Sequence, residues 1–298
     1  MHNPPRLSRQ RAVTALLFVL TVGVSCAGVK TDQSAGTPGQ GGQGSAGGQA
    51  GVGGHGGVST GGGGQGGRPA PRDAGASSST GDCSHELRLA VRDFRGGEQD
   101  GKPKHPDFEQ AITDDRGIVA AGLGPDSKPV YAGGPTGTPT TTGKDNFDQW
   151  YRDVDGINIH IDVSIPLTPD PARAGVFVYD NDAFFPIDKM GWPDPYADHN
   201  HDYTAEMHFT FPYRGGEVFN FRGDDDVFVF INGRLAINLG GIHIAETGSV
   251  DLDTRATELG ITPGSTYEMA VFYADRHCCD STFHIETTLQ CITNVIIP

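Results

Sequence analysis

Three consecutive carboxylates are the densest chemical feature of the sequence. Asp224, Asp225 and Asp226 follow Gly223 and stand directly before the apolar run Val227–Ile231. Adjacent carboxylates repel each other at the start of a strand unless water or a cation screens them. Calcium binds about six to eight oxygen ligands and takes several of them from carboxylates. The triplet therefore indicates either a calcium site or an acidic turn in solvent.

Histidines and further acids are weaker candidates. His199 and His201 are spaced like a metal-binding pair, but zinc would need a third convergent ligand. The run Asp275-Arg276-His277 fits either a catalytic cluster or an ion pair that holds the end of a strand. The sequence contains neither a phosphate-binding loop nor a His-Glu-x-x-His helix. The distance between two carboxylates in space cannot be read from the sequence. The sequence therefore does not decide whether a pair of acids could hydrolyse glycosides.

The apolar pattern predicts that these residues are carried by an all-β domain. Between Ile157 and Ile165, apolar residues alternate with polar ones, as in a strand with one wet face. The pair Asn232-Gly233 between two apolar runs is a strong hairpin signal. Similar short runs between Gly, Pro, Asn and Asp are Leu87–Val91, Val176–Tyr179, Met207–Phe211, Val218–Phe221, Val227–Ile231, Leu235–Leu239, Tyr267–Tyr273 and Phe283–Leu289.

Many short antiparallel strands with turn signals are typical of a sandwich or a barrel. We expect an antiparallel β-sandwich, because the segments 113–143 and 184–203 are long, rich in Pro and Gly, and predicted to be loops. No run of 12 or more residues shows a helical period.

The N-terminus has the pattern of an export signal. Three Arg precede the apolar run Ala12–Val24, whose 13 residues are too few for a comfortable membrane span. Small residues follow, which predicts a signal peptide over residues 1–27. Two cleavages compete: Ser25–Ala27 suits ordinary signal peptidase, and Gly23–Cys26 is similar to a lipobox that would place a lipid on Cys26.

Residues 28–81 are predicted to be a disordered Gly/Ser/Gln-rich linker. They contain no aromatic residue, and 18 of the 44 Gly of the chain fall within 36–67. Such a segment has too little apolar surface to bury a core. Residues 82–298 are then long enough for one sizeable domain, which the linker would hold clear of a surface.

Charge narrows the range of partners. The net charge of −15 consists of +4 on residues 1–30 and −19 on residues 82–298, while residues 31–81 are balanced. A domain this acidic repels phosphate backbones and anionic lipid headgroups, so we expect no nucleic-acid partner and membrane attachment only through an N-terminal lipid. Clustered carboxylates suit hard cations, calcium above all, or form a solvated surface.

Four cysteines remain after either cleavage. An even number in an exported chain indicates two disulfides with three alternative connectivities. A bridge could join Cys83 directly to Cys291, or either of them to the pair Cys278-Cys279, and a vicinal bridge within that pair is also open. Adjacent ligands and an oxidising compartment make a zinc site less favourable.

The run from Phe219 to Leu235 resembles the signature of the fibro-slime domain. The similarity extends over about Leu87–Leu289. Further matching stretches are His105–Glu109, Phe147–Tyr151, Asn238–His243, Ala274–His277 and Ser281–Phe283. Two departures stand out: Asp275 replaces the usual Glu, and Cys278-Cys279 replace a small polar pair.

Fibro-slime domains are similar to the protective-antigen (PA-14) β-sandwich superfamily, which includes calcium-dependent lectins and adhesins. The resemblance implies that Asp224 and Asp225, joined by a cis peptide, hold one calcium ion that contacts sugar hydroxyls. Asp226 and Asp280 are secondary candidate ligands, and Asp280 lies within the suggested second calcium loop Asp275–Ser281. Aromatic residues such as Trp192 or Tyr196 could stack on a sugar.

The favoured function is a tethered surface lectin or adhesin without enzymatic activity. Its partner would be a glycan or a surface or matrix polysaccharide, and it would be an outer-membrane lipoprotein, another cell-surface protein or a secreted one. The alternative is a structural or protein-interaction module of the envelope or extracellular matrix that binds no sugar. The linker and the cysteines fit both functions equally.

Overall fold

A computed structural model describes residues 83–98, 101–193, 199–278 and 280–296. No helix within these ranges is both long and apolar enough to cross a membrane. The predictions that lie outside the described residues concern the signal peptide 1–27 with Cys26, the linker 28–81, Tyr196 and Cys279.

The regular elements of the described chain are almost all strands, as predicted. In chain order the elements are β1 (Glu86–Phe94), β2 (Thr113–Asp114), β3 (Val119–Leu123), β4 (Pro129–Tyr131), α1 (Lys144–Phe147), β5 (Asn158–Pro166), β6 (Thr168–Pro169), β7 (Phe177–Asn181), β8 (Tyr203–Tyr213), β9 (Val218–Gly223), β10 (Asp226–Ile231), β11 (Arg234–Leu239), β12 (Gly241–Ile242), β13 (Glu246–Asp251), α2 (Leu252–Leu259), β14 (Ser265–Asp275), β15 (Phe283–Thr287) and β16 (Thr293–Asn294).

Two antiparallel sheets form the sandwich. The large sheet has the order β4-β3-β11-β10-β14-β8-β1-β5, with β16 added to β8, and the small sheet has the order β13-β9-β15-β7-β6. The two-stranded pair β12-β2 lies apart from both. Leu89, Phe209 and Val229 of the large sheet pack in one buried core with Phe221 and Ile285 of the small sheet. The alternating apolar residues of the sequence are therefore the inner faces of two packed sheets.

The predicted hairpin at Asn232-Gly233 is confirmed. It joins β10 to β11, which pair antiparallel, and both residues have positive φ, 51° and 70°. A two-residue turn with two left-handed residues matches the twist of the flanking strands, and Asn-Gly adopts it readily.

The prediction that residues 113–143 form one long loop is wrong. This segment contains β2, β3 and β4, and its side chains cover the outer face of the large sheet. Ile118, together with Trp150 that follows α1, packs on Phe230 and Phe272. The outward-facing residues of β10 and β14 are apolar because this third layer buries them.

One disulfide fastens the ends of the domain. Cys83 and Cys291 are bridged across a sequence separation of 208 residues, which is one of the pairings that the sequence left open. The adjacent bridge between Ser84 and Ile292 brings the same two chain segments together.

Removing this disulfide should destabilise the domain strongly. Changing both Cys83 and Cys291 to Ala frees the ends of a long loop in the unfolded chain, and we expect the free energy of unfolding to fall by about 2–4 kcal/mol. Urea denaturation of the oxidised wild type and of the double variant measures the difference. A loss below about 1 kcal/mol would show that the backbone pairing alone holds the ends together.

Candidate functional site

The three consecutive aspartates lie in the tight connection between β9 and β10. β9 ends at Gly223 and β10 begins at Asp226. The peptide bond between Asp224 and Asp225 is cis, as the resemblance implies for this pair. At Gly223 an added Cβ would lie 2.7 Å from the ring of Phe221 and 3.0 Å from a backbone oxygen. Only glycine fits at this close approach, immediately before the carboxylate pair.

Asp224 and Asp225 accept hydrogen bonds from two other parts of the chain. The amide of Thr282 donates to Oδ1 of Asp224 at 2.6 Å. The amides of His243 and Arg276 donate to the two oxygens of Asp225, each at 3.0 Å. Both aspartates are only 6% exposed. The β9–β10 connection therefore meets the segment after β12 and the loop between β14 and β15.

The loop suggested as the second calcium loop, Asp275–Ser281, lies at the same end of the sandwich as the carboxylate pair. Its two ends contact that pair through the backbone amides described above. Asp280 is exposed on this loop. Burial raises the pKa of Asp224, and the charge of Asp280 raises it further. The charge of Asp280 therefore acts on the Asp224 carboxyl.

Burial and like charges disfavour ionised carboxylates at this site. Burial raises the pKa of Asp225 well above its ordinary range, although the charge of Arg276 opposes the shift. Burial also raises the pKa of Asp275, and the charges of Asp225 and Asp224 add to that effect. Oδ2 of Asp275 is buried and has no hydrogen-bond partner among the described residues. A divalent cation would favour the charged forms, so the donor set fits calcium.

Asp226 differs from its two neighbours because its carboxylate serves a buried ion pair. Nε of Arg276 lies 2.6 Å from Oδ2 of Asp226, and both side chains are fully buried. The amide of Gly241 donates to the other oxygen of Asp226 at 2.7 Å. The Arg276 guanidinium also donates to the carbonyl of Thr140 and lies over the ring of Trp150. Asp226 therefore does not belong to the ligand set that we propose below.

Residues 174–294 match the family model of the PA14 domain. This stretch is therefore similar to PA14 domains. It includes the carboxylate pair and the loop between β14 and β15, so the whole candidate site lies within the matched residues. Strands β1 to β6 precede the matched stretch.

Similar sequences occur in Dictyostelium discoideum. The chain is 38% identical to protein psiR in an alignment of 201 positions that covers 62% of this chain and 20% of psiR. It is 37% identical to protein psiJ in an alignment of 213 positions that covers 62% of this chain and 29% of psiJ. The chain therefore matches between a fifth and a third of the length of these two relatives.

Two solved structures that are named as PA14 domains are also similar to this chain. One is a PA14 sugar-binding domain from an RTX adhesin, with 12% identity and a TM-score of 0.28, covering 71% of this chain and 95% of that one. The other is the PA14 domain of the antifreeze protein MpAFP, with 13% identity and a TM-score of 0.24, covering 70% of this chain and 88% of that one.

Trp192, the aromatic candidate for sugar stacking, lies in a different environment. Its ring is half-buried, and the Arg95 guanidinium stacks 3.8 Å from the ring centre. Its amide donates to Asp93 at 2.5 Å. None of these contacts involves Asp224 or Asp225. One face of the ring is therefore already occupied by Arg95.

The two candidate metal histidines both pack against Phe185. Nδ1 of His199 lies 2.6 Å from Asp188, and its ring stacks on Phe185. His201 is buried and contacts the edge of Phe185. Within the described residues they do not converge with a third metal-ligating side chain.

The sequence reasoning missed a cluster formed by Glu109, His277 and Cys278. The ligand atoms of these three side chains lie within 4.8 Å of one another. The amide of Cys278 donates to Glu109 at 3.0 Å. The only sequence signal is that Glu109 and His277 both fall in stretches that resemble the fibro-slime signature. Their approach across 168 positions depends on tertiary packing.

Proposed function

We propose that this domain is a calcium-dependent glycan-binding module that acts outside the cytoplasm and has no enzymatic activity. The observation that carries the proposal is the pair of nearly buried carboxylates, Asp224 and Asp225, at the meeting point of three chain segments. The PA14 match and the resemblance to calcium-dependent lectins support the same function. The disulfide and the export signal support a location outside the cytoplasm.

Asp224 and Asp225 would hold the ion, and exposed Asp280 would complete the acidic side of the site. Backbone carbonyl groups and water commonly supply the other oxygens of a calcium shell. A bound calcium ion would offer coordination positions to vicinal hydroxyls of a sugar. The protein's own part is to hold the two carboxylates in fixed orientations, which the amides of His243, Arg276 and Thr282 do.

The hydrogen bonds that Asp225 accepts favour a second function. Both oxygens of Asp225 accept backbone hydrogen bonds from different segments. Such a carboxylate can hold loops together without any ion, as in a structural or protein-interaction module of the envelope or matrix. This alternative predicts that the domain binds no glycan in the presence of calcium.

Calcium titration of the full chain, stripped beforehand with chelator, tests the proposal. We expect one site with a Kd in the micromolar to millimolar range, because that range covers sensors and extracellular modules. Asp224→Asn should weaken the affinity roughly tenfold or more, since it removes a charged ligand while keeping the oxygen that accepts from Thr282. Asp225→Ala should abolish binding. Asp162→Asn, at an exposed site outside the cluster, should leave the calcium affinity unchanged.

A glycan array with and without calcium completes the test. Calcium binding that survives in Asp225→Ala would refute the assigned site. Calcium binding with no glycan bound in its presence would favour the structural module, and hydrolysis of a glycan would contradict the non-enzymatic assignment.

A further inference from the structure

A groove runs over the outer face of β1, β5 and β8, on the side of the large sheet that faces away from the small sheet. It encloses about 1040 Å³. Along β1 its floor carries Arg88, Ala90 and Arg92, which alternate with the core residues Leu89 and Val91. The turn between β3 and β4 and the segment after β16 also line the groove.

A buried ion-pair network forms the centre of the floor. Lys128 Nζ lies 2.6 Å from both oxygens of Glu206, and Arg92 Nη1 donates to the same carboxylate at 2.8 Å. These three residues are between 3% and 5% exposed. Each charged group is therefore fixed by its partners before any ligand arrives, which lowers the entropic cost of binding.

The network continues toward the edges of the groove. Nδ1 of His208 lies 3.0 Å from Glu268, and Arg92 Nε donates to Asp153 at 2.8 Å. His160 lies 3.0 Å from the same Asp153 carboxylate. Carboxylates accept hydrogen bonds and the guanidinium donates them, so acceptors and donors alternate across the floor. A ligand whose groups can both donate and accept, such as a hydroxyl, fits this alternation.

The charge balance of the groove excludes polyanionic ligands. Six carboxylates face four Lys or Arg side chains and two histidines, so no positive excess exists to attract phosphate or uronic acid groups. The carboxylates are those of Glu86, Asp126, Asp153, Asp162, Glu206 and Glu268; the bases are Arg88, Arg92, Lys128 and Arg152, with His160 and His208.

A peptide strand is also a poor occupant. Recognition by strand addition needs an exposed sheet edge. The edge strand on this side is β5, so an added strand would extend the sheet beyond β5 rather than fill the groove over its face.

Small apolar surfaces complete the lining. Ala90 lies among the charged groups of the floor, and Ile296, which is 83% exposed, also lines the groove. A sugar ring presents hydroxyls at its edge and C–H groups on its face, so this mixed surface complements it.

We propose that this groove binds a neutral oligosaccharide without calcium. The site is separate from the carboxylate pair, because neither Asp224 nor Asp225 lines the groove. The proposal therefore does not rest on the calcium-dependent function. Both sites together would let one domain engage two parts of a polysaccharide, or two chains of it.

An array of neutral and acidic oligosaccharides, probed with the full chain in excess chelator, tests the proposal, followed by calorimetry with the best neutral binder. We expect chelator-resistant binding to neutral members. Ser164→Trp should weaken it at least tenfold, because Ser164 lies exposed on the floor opposite Arg88. Ser249→Trp, at an exposed strand serine of the small sheet, is the matched control and should bind like the wild type.

Asp224→Asn separates the two sites. It should leave chelator-resistant binding unchanged while it weakens calcium-dependent binding. The groove proposal is overturned by an absence of binding in chelator, by a preference for acidic oligosaccharides, or by full binding in Ser164→Trp. Circular dichroism of each variant confirms that the sheet is folded, and Asp162→Ala provides a milder change of the same floor if Ser164→Trp does not fold.

Discussion

Asp226→Asn should lower the free energy of unfolding by about 3–5 kcal/mol. The substitution leaves the Arg276 guanidinium fully buried without the carboxylate that lies 2.6 Å away. Breaking a buried ion pair by removing one partner costs this much because the remaining charge stays desolvated. The guanidinium cannot reach solvent by a small movement, since it also donates to the carbonyls of Asp107 and Thr140 and lies over Trp150.

Urea denaturation at a fixed calcium concentration measures this loss. Glu258→Gln is the control, because it breaks an exposed pair with Arg255 on α2 and should leave the stability nearly unchanged. The double variant Asp226→Asn with Arg276→Met should lose less than the sum of the two single variants, since it leaves neither charge unpaired. A loss below about 1 kcal/mol in Asp226→Asn would mean that another group compensates Arg276.

The strands were predictable from the sequence because their signal is local. Eight apolar runs overlap β1, β7, β8, β9, β10, β11, β14 and β15, and the Asn232-Gly233 turn joins two of them. The short strand β13 (ETGSVD) has too few apolar residues for a clear period. The eight-residue helix α2 is too short to show one, and its signals lie at its ends: Asp251 caps the start and Gly260 ends it with φ 67°.

The candidate site was only partly predictable. The resemblance indicated the cis-linked pair Asp224-Asp225 and left Asp226 as a secondary candidate, but nothing in the sequence indicates the ion pair that Asp226 forms. Its distinct role comes from Arg276, 50 positions away. The groove was not predicted at all, because Lys128 and Glu206 are 78 positions apart and composition reports only the total charge. Which carboxylates are buried and paired is decided by tertiary packing.

Acid should destabilise the domain through the same groove network. Burial alone would raise the pKa of Glu206, but the His208 ring, whose Nε2 lies 3.5 Å away, and the charges of Arg92 and Lys128 outweigh burial and lower it from 4.5 to about 2. A carboxylate with a lowered folded-state pKa contributes stability above its unfolded pKa. That contribution is lost as the pH falls from 4.5 to about 2, and it amounts to roughly 3 kcal/mol.

Glu206→Gln isolates this contribution. At pH 7 the variant should be roughly 3 kcal/mol less stable than the wild type, because Arg92 and Lys128 then face a neutral amide. The difference should shrink toward zero near pH 2, where Glu206 is about half protonated in the folded state and almost fully protonated in the unfolded state. Urea denaturation from pH 7 to pH 2 measures both curves. Burial lowers the pKa of His105 to about 4, so both proteins lose stability as the pH falls from 6.5 to 4. This loss is the same in both proteins and cancels in the difference. A difference that stays constant with pH would show that Glu206 acts through packing rather than through its charge.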